Sequence, residues 1–370
     1  MIDAVQSCLE PQGEAPPMKP TVRHRMAVSS LIATVIVCAL AASVGRAAPS
    51  QDRDEAQEQE LMSLSTIIAA ALRGQIVPTE EPFGWANDAL KAYDKQTFVP
   101  FTLSVEQSKI STPTVAMYIF VAPHSAGPAA AEPAAGATDA EAASALPTAV
   151  FEDAYHVDLG VPTADGVYEI RRAFSAPGGD YDVYVALSES EVSDGTEAKT
   201  MMLKQAVSVP DLWSDELATS SVILLDRIES LSTPLPPDQH LANPYVLGGT
   251  TRLVPRVNRT YPDSEELSTF FLIYNVGLTS DGLPDVTVEF NFHTRRPDGD
   301  EFFNTSGTQT FDAQTLPKDF DFAGGHQLQG GQVVPLGSFP EADYRLEIKI
   351  TDNTNGASLV RHVDFSVSAS

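Results

Sequence analysis

The sequence predicts a mainly β protein built from two tandem β-sandwiches behind a leader and a short helix. The first observation is a passage that occurs twice, PGGDYDVYVAL at 177–187 and PEADYRLEIKI at 340–350. In each copy Pro-x-x-Asp-Tyr reads as a turn, and the apolar residues after it recur at the period of two that lays one strand face on a core. A second alternating segment follows each copy, 203–209 and 363–367, so each reads as a hairpin that needs a facing sheet. The second observation is a series of short apolar runs divided by turns rich in Gly, Asp, Asn and Pro. The third is the N-terminus. Lys19, Arg23, His24 and Arg25 precede an unbroken apolar or small run over 26–44 that ends in small residues.

That order of charge, apolar core and small residues is the pattern of a secretory signal peptide. Cleavage after Gly45 or Ala47 puts small residues at the −1 and −3 positions, and the mature chain is expected to begin between Arg46 and Pro49. The residues before Met18 carry Asp3, Glu10 and Glu14 and no basic residue, so translation is expected to start at Met18, with 1–48 as leader. Both cysteines, Cys8 and Cys38, fall in this leader, which leaves the mature chain without disulfides, thiolate metal sites or a cysteine nucleophile. Stability then rests on core burial, which a chain of this length can supply as two domains.

Residues 49–96 form an N-terminal helical and linker segment. Leu61, Leu64, Ile67, Ile68, Ala71 and Leu72 recur every three or four residues behind an acidic start, and Gly74 stops the helix. A further helical turn is expected over 85–93. The first sandwich spans 97–210, with strands at 98–106, 115–121, 150–159, 167–174, 181–188 and 200–209. It is interrupted at 123–149, where sixteen of twenty-seven residues are Ala or Pro, a composition that buries too little to order itself. The second sandwich spans 211–370, with strands at 221–228, 246–254, 269–276, 286–294, 308–311, 332–336, 344–351 and 359–367. Its turns are 279–282, 296–299 and 352–356. Short strands with such punctuation point to immunoglobulin-like or fibronectin-like sandwiches.

The formal net charge is −27. A field of that sign repels nucleic acid and anionic membrane surfaces, and only the leader offers a membrane-length apolar run. No nucleophile elbow, phosphate-cradling glycine loop or dinucleotide fingerprint occurs, so no catalytic, cofactor-binding or metal-binding residues are assigned. Tyr181 and Tyr344, alike in both copies, are expected to pack their rings in the core and bond nearby backbone through their hydroxyls. The acidic loops with Asp298, Asp300 and Glu301, and with Asp319 and Asp321, lack the ligand spacing of a helix-loop-helix calcium site and read as solvated turns. Among the mature histidines only His326, after Gly324-Gly325, stands where a binding residue often does, and its expected role is structural.

The runs TFVPFT at 97–102, DLWSDEL at 211–217, and the stretch 314–344 with its QTLP, GHQL, VPL and FPEADY elements resemble a family of uncharacterised secreted bacterial proteins. Members carry tandem sandwiches, often beside von Willebrand A-type or Gly-Trp-x-Thr-Asp domains. The resemblance implies an envelope or extracellular location and brings no catalytic residues. Gly84-Trp85-Ala-Asn87-Asp88 departs from the Gly-Trp-x-Thr-Asp signature at its fourth position. The expected function is a non-catalytic exported module binding an unknown protein or glycan partner. The alternative is a secreted, carbohydrate-directed hydrolase or hydrolase accessory, with carboxylates in an interdomain cleft.

Overall fold

The computed structural model describes residues 55–75, 83–124, 147–193, 195–236, 239–322 and 324–369. The expected leader and most of the Ala/Pro-rich segment lie outside them. Among the described residues no helix is long and apolar enough to cross a membrane. The elements in chain order begin with helix α1 (Glu55–Leu72), β1 (Gly84–Asn87), β2 (Leu90–Lys91), β3 (Thr97–Glu106) and β4 (Thr114–Pro123). Then come β5 (Phe151–Asp158), β6 (Val167–Ala176), β7 (Gly179–Glu189) and β8 (Thr200–Val209). The second half holds β9 (Ala218–Thr219), β10 (Ile223–Ser230), β11 (Val246–Leu247), β12 (Thr251–Pro255), β13 (Thr260–Pro262) and β14 (Glu266–Tyr274). It continues with β15 (Val286–Thr294), β16 (Glu301–Thr305), β17 (Gln309–Phe311), β18 (Leu328–Gly330), β19 (Val333–Pro335), β20 (Ala342–Asp352) and β21 (Ser358–Ser368).

These strands form four sheets. In the first, β3 pairs with β6 along one edge and with β1 and β2 along the other; the second has the order β5-β4-β7-β8. The third is centred on β10 and β14, with β12 and β11 beyond β10 and the short β9, β18 and β19 along β14. The fourth runs β13-β21-β20-β15-β16, with β17 also on β15. Phe101, Leu103 and Phe174 of the first sheet share a core with Met117, Ile119 and Val185 of the second. Phe271 and Ile273 of the third share another with Phe290, Leu346 and Ile348 of the fourth. Each half is thus a β-sandwich.

The two repeated passages are β7 and β20, each the middle strand of an antiparallel trio and each closing a hairpin with its successor. The Tyr181 hydroxyl donates to the Pro177 carbonyl at 3.0 Å, and Tyr344 donates to the Pro340 carbonyl at 2.7 Å. The tyrosine anchors expected from the repeat are therefore present in both copies, with the ring of Tyr344 stacked on Phe365. Gly178, inside the first turn, is required by close approach, because a Cβ there would lie 2.8 Å from that of Asp211.

One-sided and two-sided burial separate the strands. β15 and β20 alternate buried and accessible residues, as one-faced strands do, whereas β7 is buried without a break from Tyr181 to Glu189 and β14 from Thr269 to Tyr274. The second face of the β4 and β7 sheet is covered by α1. Leu61, Leu64 and Ile68, one stripe of the helix, sit on Ala116, Ala122, Ala186, Phe120, Tyr184 and Met202. The three alanines leave room for the helix to lie close. Gly74 ends it at φ +72°, its N–H bonded to the Ala71 carbonyl.

A third apolar cluster joins the halves. Leu90, Ala92, Phe98 and Ala173, on the outer face of the first sheet, pack with Ile223, Leu225, Phe270, Leu272 and Tyr274 on the outer face of the third. The result is a stack of five layers, helix then four sheets. Two expectations are corrected here. Residues 84–91 form β1 and β2 rather than a helical turn, because the free edge of β3 takes backbone partners there. The single strand expected over 246–254 is the hairpin of β11 and β12, folded at Gly248 and Gly249, both at positive φ.

Replacing Tyr181 or Tyr344 by Phe removes one hydroxyl and its bond, and each change is expected to cost ~1 kcal/mol of stability in urea unfolding. An unchanged midpoint in either variant would deny that tyrosine its anchoring role.

Candidate functional site

The junction between the sandwiches is built by residues 88–97 against the start of the second half. Ala89 and Ser221 exchange two bonds, the Ala89 N–H to Ser221 Oγ and the Ser221 N–H to the Ala89 carbonyl, both 2.9 Å. The Lys91 N–H donates to the Tyr274 hydroxyl, and its ammonium reaches Asn275 Oδ1 at 2.7 Å while lying 4.4 Å from the centre of the Trp213 ring. Trp213 Nε1 donates to the Gln96 carbonyl and Thr97 Oγ1 to the Pro210 carbonyl. Asn275 adopts a left-handed backbone at φ 59°, and its side-chain amide bonds the carbonyls of Leu212 and Glu216.

Within this seam lies the carboxyl of Asp88, which accepts the Tyr245 hydroxyl at 2.8 Å. Burial pushes it up to about 6 from 3.8, against the opposing pull of the Tyr245 hydroxyl, Arg259 and Ser221. Burial also drives the Tyr245 phenol upward, reinforced by the neighbouring Asp88 charge.

Beside Tyr245 a cleft of about 300 Å³ opens between the halves. One wall is the end of β5 and the middle of β6, with Val157, Asp158, Glu169, Ile170, Arg171 and Arg172; the other is the 242–246 segment with Arg252, Leu253 and Val254 of β12. Arg171 pairs with Glu169 two residues away on the same strand face. Arg172 falls in step with Ile170 and Phe174, which belong to the core of the first sandwich. Its guanidinium lies 4.8 Å from the centre of the Tyr155 ring, and Nη1 donates to the Arg171 carbonyl at 2.7 Å. The Tyr155 hydroxyl in turn donates to Asp153 at 2.6 Å. Burial lowers the Arg172 pKa and raises that of Tyr155, the latter with help from the Asp153 charge.

The residues singled out from the sequence lie apart from this cleft. Asp300 is bound to Arg345 at 2.9 Å and Glu301 to Arg296 at 2.7 Å. Asp321 and His326 close their own loop, the Asp321 N–H donating to His326 Nδ1 and Gly324 N–H to Asp321 Oδ1. His124 contacts Asp182, and His156 contacts Glu60 of α1. The cleft residues were missed in the sequence. The signal that could have found them is the Arg171-Arg172 pair inside a strand pattern, with one arginine necessarily on the core face.

No family model and no curated relative matches the chain. Among solved structures it is similar to trypsin-activated alpha-2-macroglobulin from Escherichia coli, at 13% identity and a TM-score of 0.21, over 79% of this chain and 17% of that one. An alpha-2-macroglobulin mutant from Salmonella gives 12% identity and 0.19, again over 79% of this chain and 17% of that one. Red sea bream transglutaminase gives 7% and 0.21, over 81% of this chain and 33% of that one. The chain thus spans a small part of each protein it resembles.

The Asp88 carboxyl gives a signed expectation. With its folded pKa near 6 and an ordinary value of 3.8, the native state holds the extra proton between those values. Stability should therefore fall as pH rises from 4 to 7, by at most about 3 kcal/mol from this group. Asp88→Asn should flatten that slope in urea unfolding at pH 4, 5.5 and 7, and an unaltered slope would place the carboxyl in water.

Proposed function

We propose that this chain is an exported, non-catalytic scaffold: two immunoglobulin-like or fibronectin-like sandwich domains that present loops and edge strands to a protein or glycan partner. The observation that carries the reading is the shared apolar seam of Leu90, Phe98, Phe270 and Leu272, which fixes one sandwich against the other. A body that holds two sandwiches in one orientation suits presentation of a composite surface. Export is supported by the leader pattern and by the resemblance to secreted bacterial proteins found beside von Willebrand A-type or Gly-Trp-x-Thr-Asp domains. The strongly acidic charge argues against nucleic acid as partner.

The hydrolase alternative calls for two cooperating carboxyls in the cleft. Asp158 there accepts a bond from Thr114 and Glu169 pairs with Arg171, while Asp88 is bonded to the Tyr245 hydroxyl. These engagements favour the binding reading.

Sequencing the N-terminus of chain recovered from the envelope or medium should place it between Arg46 and Pro49; an intact leader would replace export by anchoring. The immobilised chain should retain a defined component of the envelope fraction that heat-unfolded chain does not, and should release no reducing ends from envelope polysaccharide. Steady release of reducing ends would overturn the scaffold reading.

A further inference from the structure

In a chain of net charge −27, three arginines, Arg171, Arg172 and Arg252, line one cleft together with two carboxylates, Asp158 and Glu169. Two of the three are neutralised locally, Arg171 by Glu169 and Arg252 by Glu229. Arg172 differs. Among the described residues its hydrogen bonding is to the Arg171 carbonyl, no carboxylate pairs with it directly, and its Nε–H, like that of Arg171, is buried without an acceptor. Asp153, whose charge acts on it from nearby, is engaged by the Tyr155 hydroxyl and the Ala154 N–H and makes no direct ion pair with it. A guanidinium withdrawn from water without a directly paired counter-ion is costly, and the planar fork of arginine is shaped for a carboxylate. The rest of the lining sets Asn243 and Tyr245 beside Val157, Val246 and Val254, and the volume of about 300 Å³ suits a small ligand.

We infer that this cleft binds a small molecule or chain end through a carboxylate, its charge met by Arg172 on one face of the β6 strand, with Arg171 and Arg252 on the side toward the second half. Such a group comes either from a free organic acid or from the C-terminal residue of a peptide. The site is independent of the partner surface proposed above, since it is made of cleft residues alone.

The test is calorimetric titration of the purified full chain with N-acetyl-leucine, with N-acetyl-leucinamide and with the peptide acetyl-Ala-Ala-Leu as its free acid. At least one of the two acids should bind at least ~10-fold more tightly than the amide, as a charge-assisted contact requires. Binding of N-acetyl-leucine marks a free-acid site, and binding of the peptide alone marks a chain terminus. Arg172→Gln should weaken the acid ~10-fold or more. Should that variant fail to fold, Ala242→Trp, at an exposed position on the cleft wall, should block the acid while leaving the melting temperature in place. Equal binding of acid and amide, no binding of either acid, or undiminished binding by Ala242→Trp would each overturn the assignment.

Discussion

A sheet with two apolar faces cannot stop at one partner, and that constraint organises the whole stack. β3 turns Val99, Phe101, Leu103 and Val105 toward the second sheet, while Phe98 and its neighbour Ala173 on β6 turn toward the other half of the chain. Leaving either face wet would expose several large side chains, each worth ~1.5–3 kcal/mol on burial. The first sheet therefore needs the second and third on either side, and the second sheet, apolar on its far face as well, needs α1. The stack ends where a sheet face becomes polar. On the fourth sheet Glu289 stands opposite Lys349, Arg345 opposite Asp364 and Glu347 opposite His362, a ladder of ion pairs that water can finish. Individually such exposed pairs contribute little. Collectively they mark a mainly polar face, on which Phe302 and Val360 stand exposed among the charges.

Much of this was legible in the residues. The paired Pro-x-x-Asp-Tyr passages located both central hairpins, and the strands over 200–209 and 286–294 match in both bounds. What misled was locality. Residues 85–93 are mostly types depleted in strands, Ala86, Asn87, Asp88, Ala89, Lys91 and Ala92, and they become β1 and β2 because β3 offers them an open edge. β11 and β12 read as one strand because the apolar count ran straight through Gly248 and Gly249. The unbroken burial of β7 was also hidden, since Tyr181-Asp182-Val183 alternates on paper while Asp182 is covered by His124 and Lys204.

The cleft was harder to read for a different reason. Its walls come from 157–172 and 242–254, which meet only because the seam between the sandwiches brings them together. Nothing in either segment alone marks a site, apart from a charge at Arg172 where the strand period calls for a core residue. Asp88 illustrates the same point. It looks like one acidic residue among fifty, and its altered acidity arises from Tyr245 and the burial that the second half imposes.

The position of α1 also bears on how the chain acquires its structure. The helix precedes every strand of the sheet it covers, and Leu61, Leu64 and Ile68 rest on Tyr184 and Met202 as well as on Ala116 and Ala122. A chain emerging from its N-terminus therefore releases the helix well before the platform for it exists. Its apolar stripe has no complete native partner until β4, β7 and β8 have paired, so helix docking is a late, long-range event separated from helix formation by the slow closure of non-local β pairings. During that interval the stripe of α1 and the bare alanine face are two complementary surfaces on one unfinished molecule. A second unfinished copy could satisfy either of them, which makes the N-terminal layer the natural point for exchange between chains.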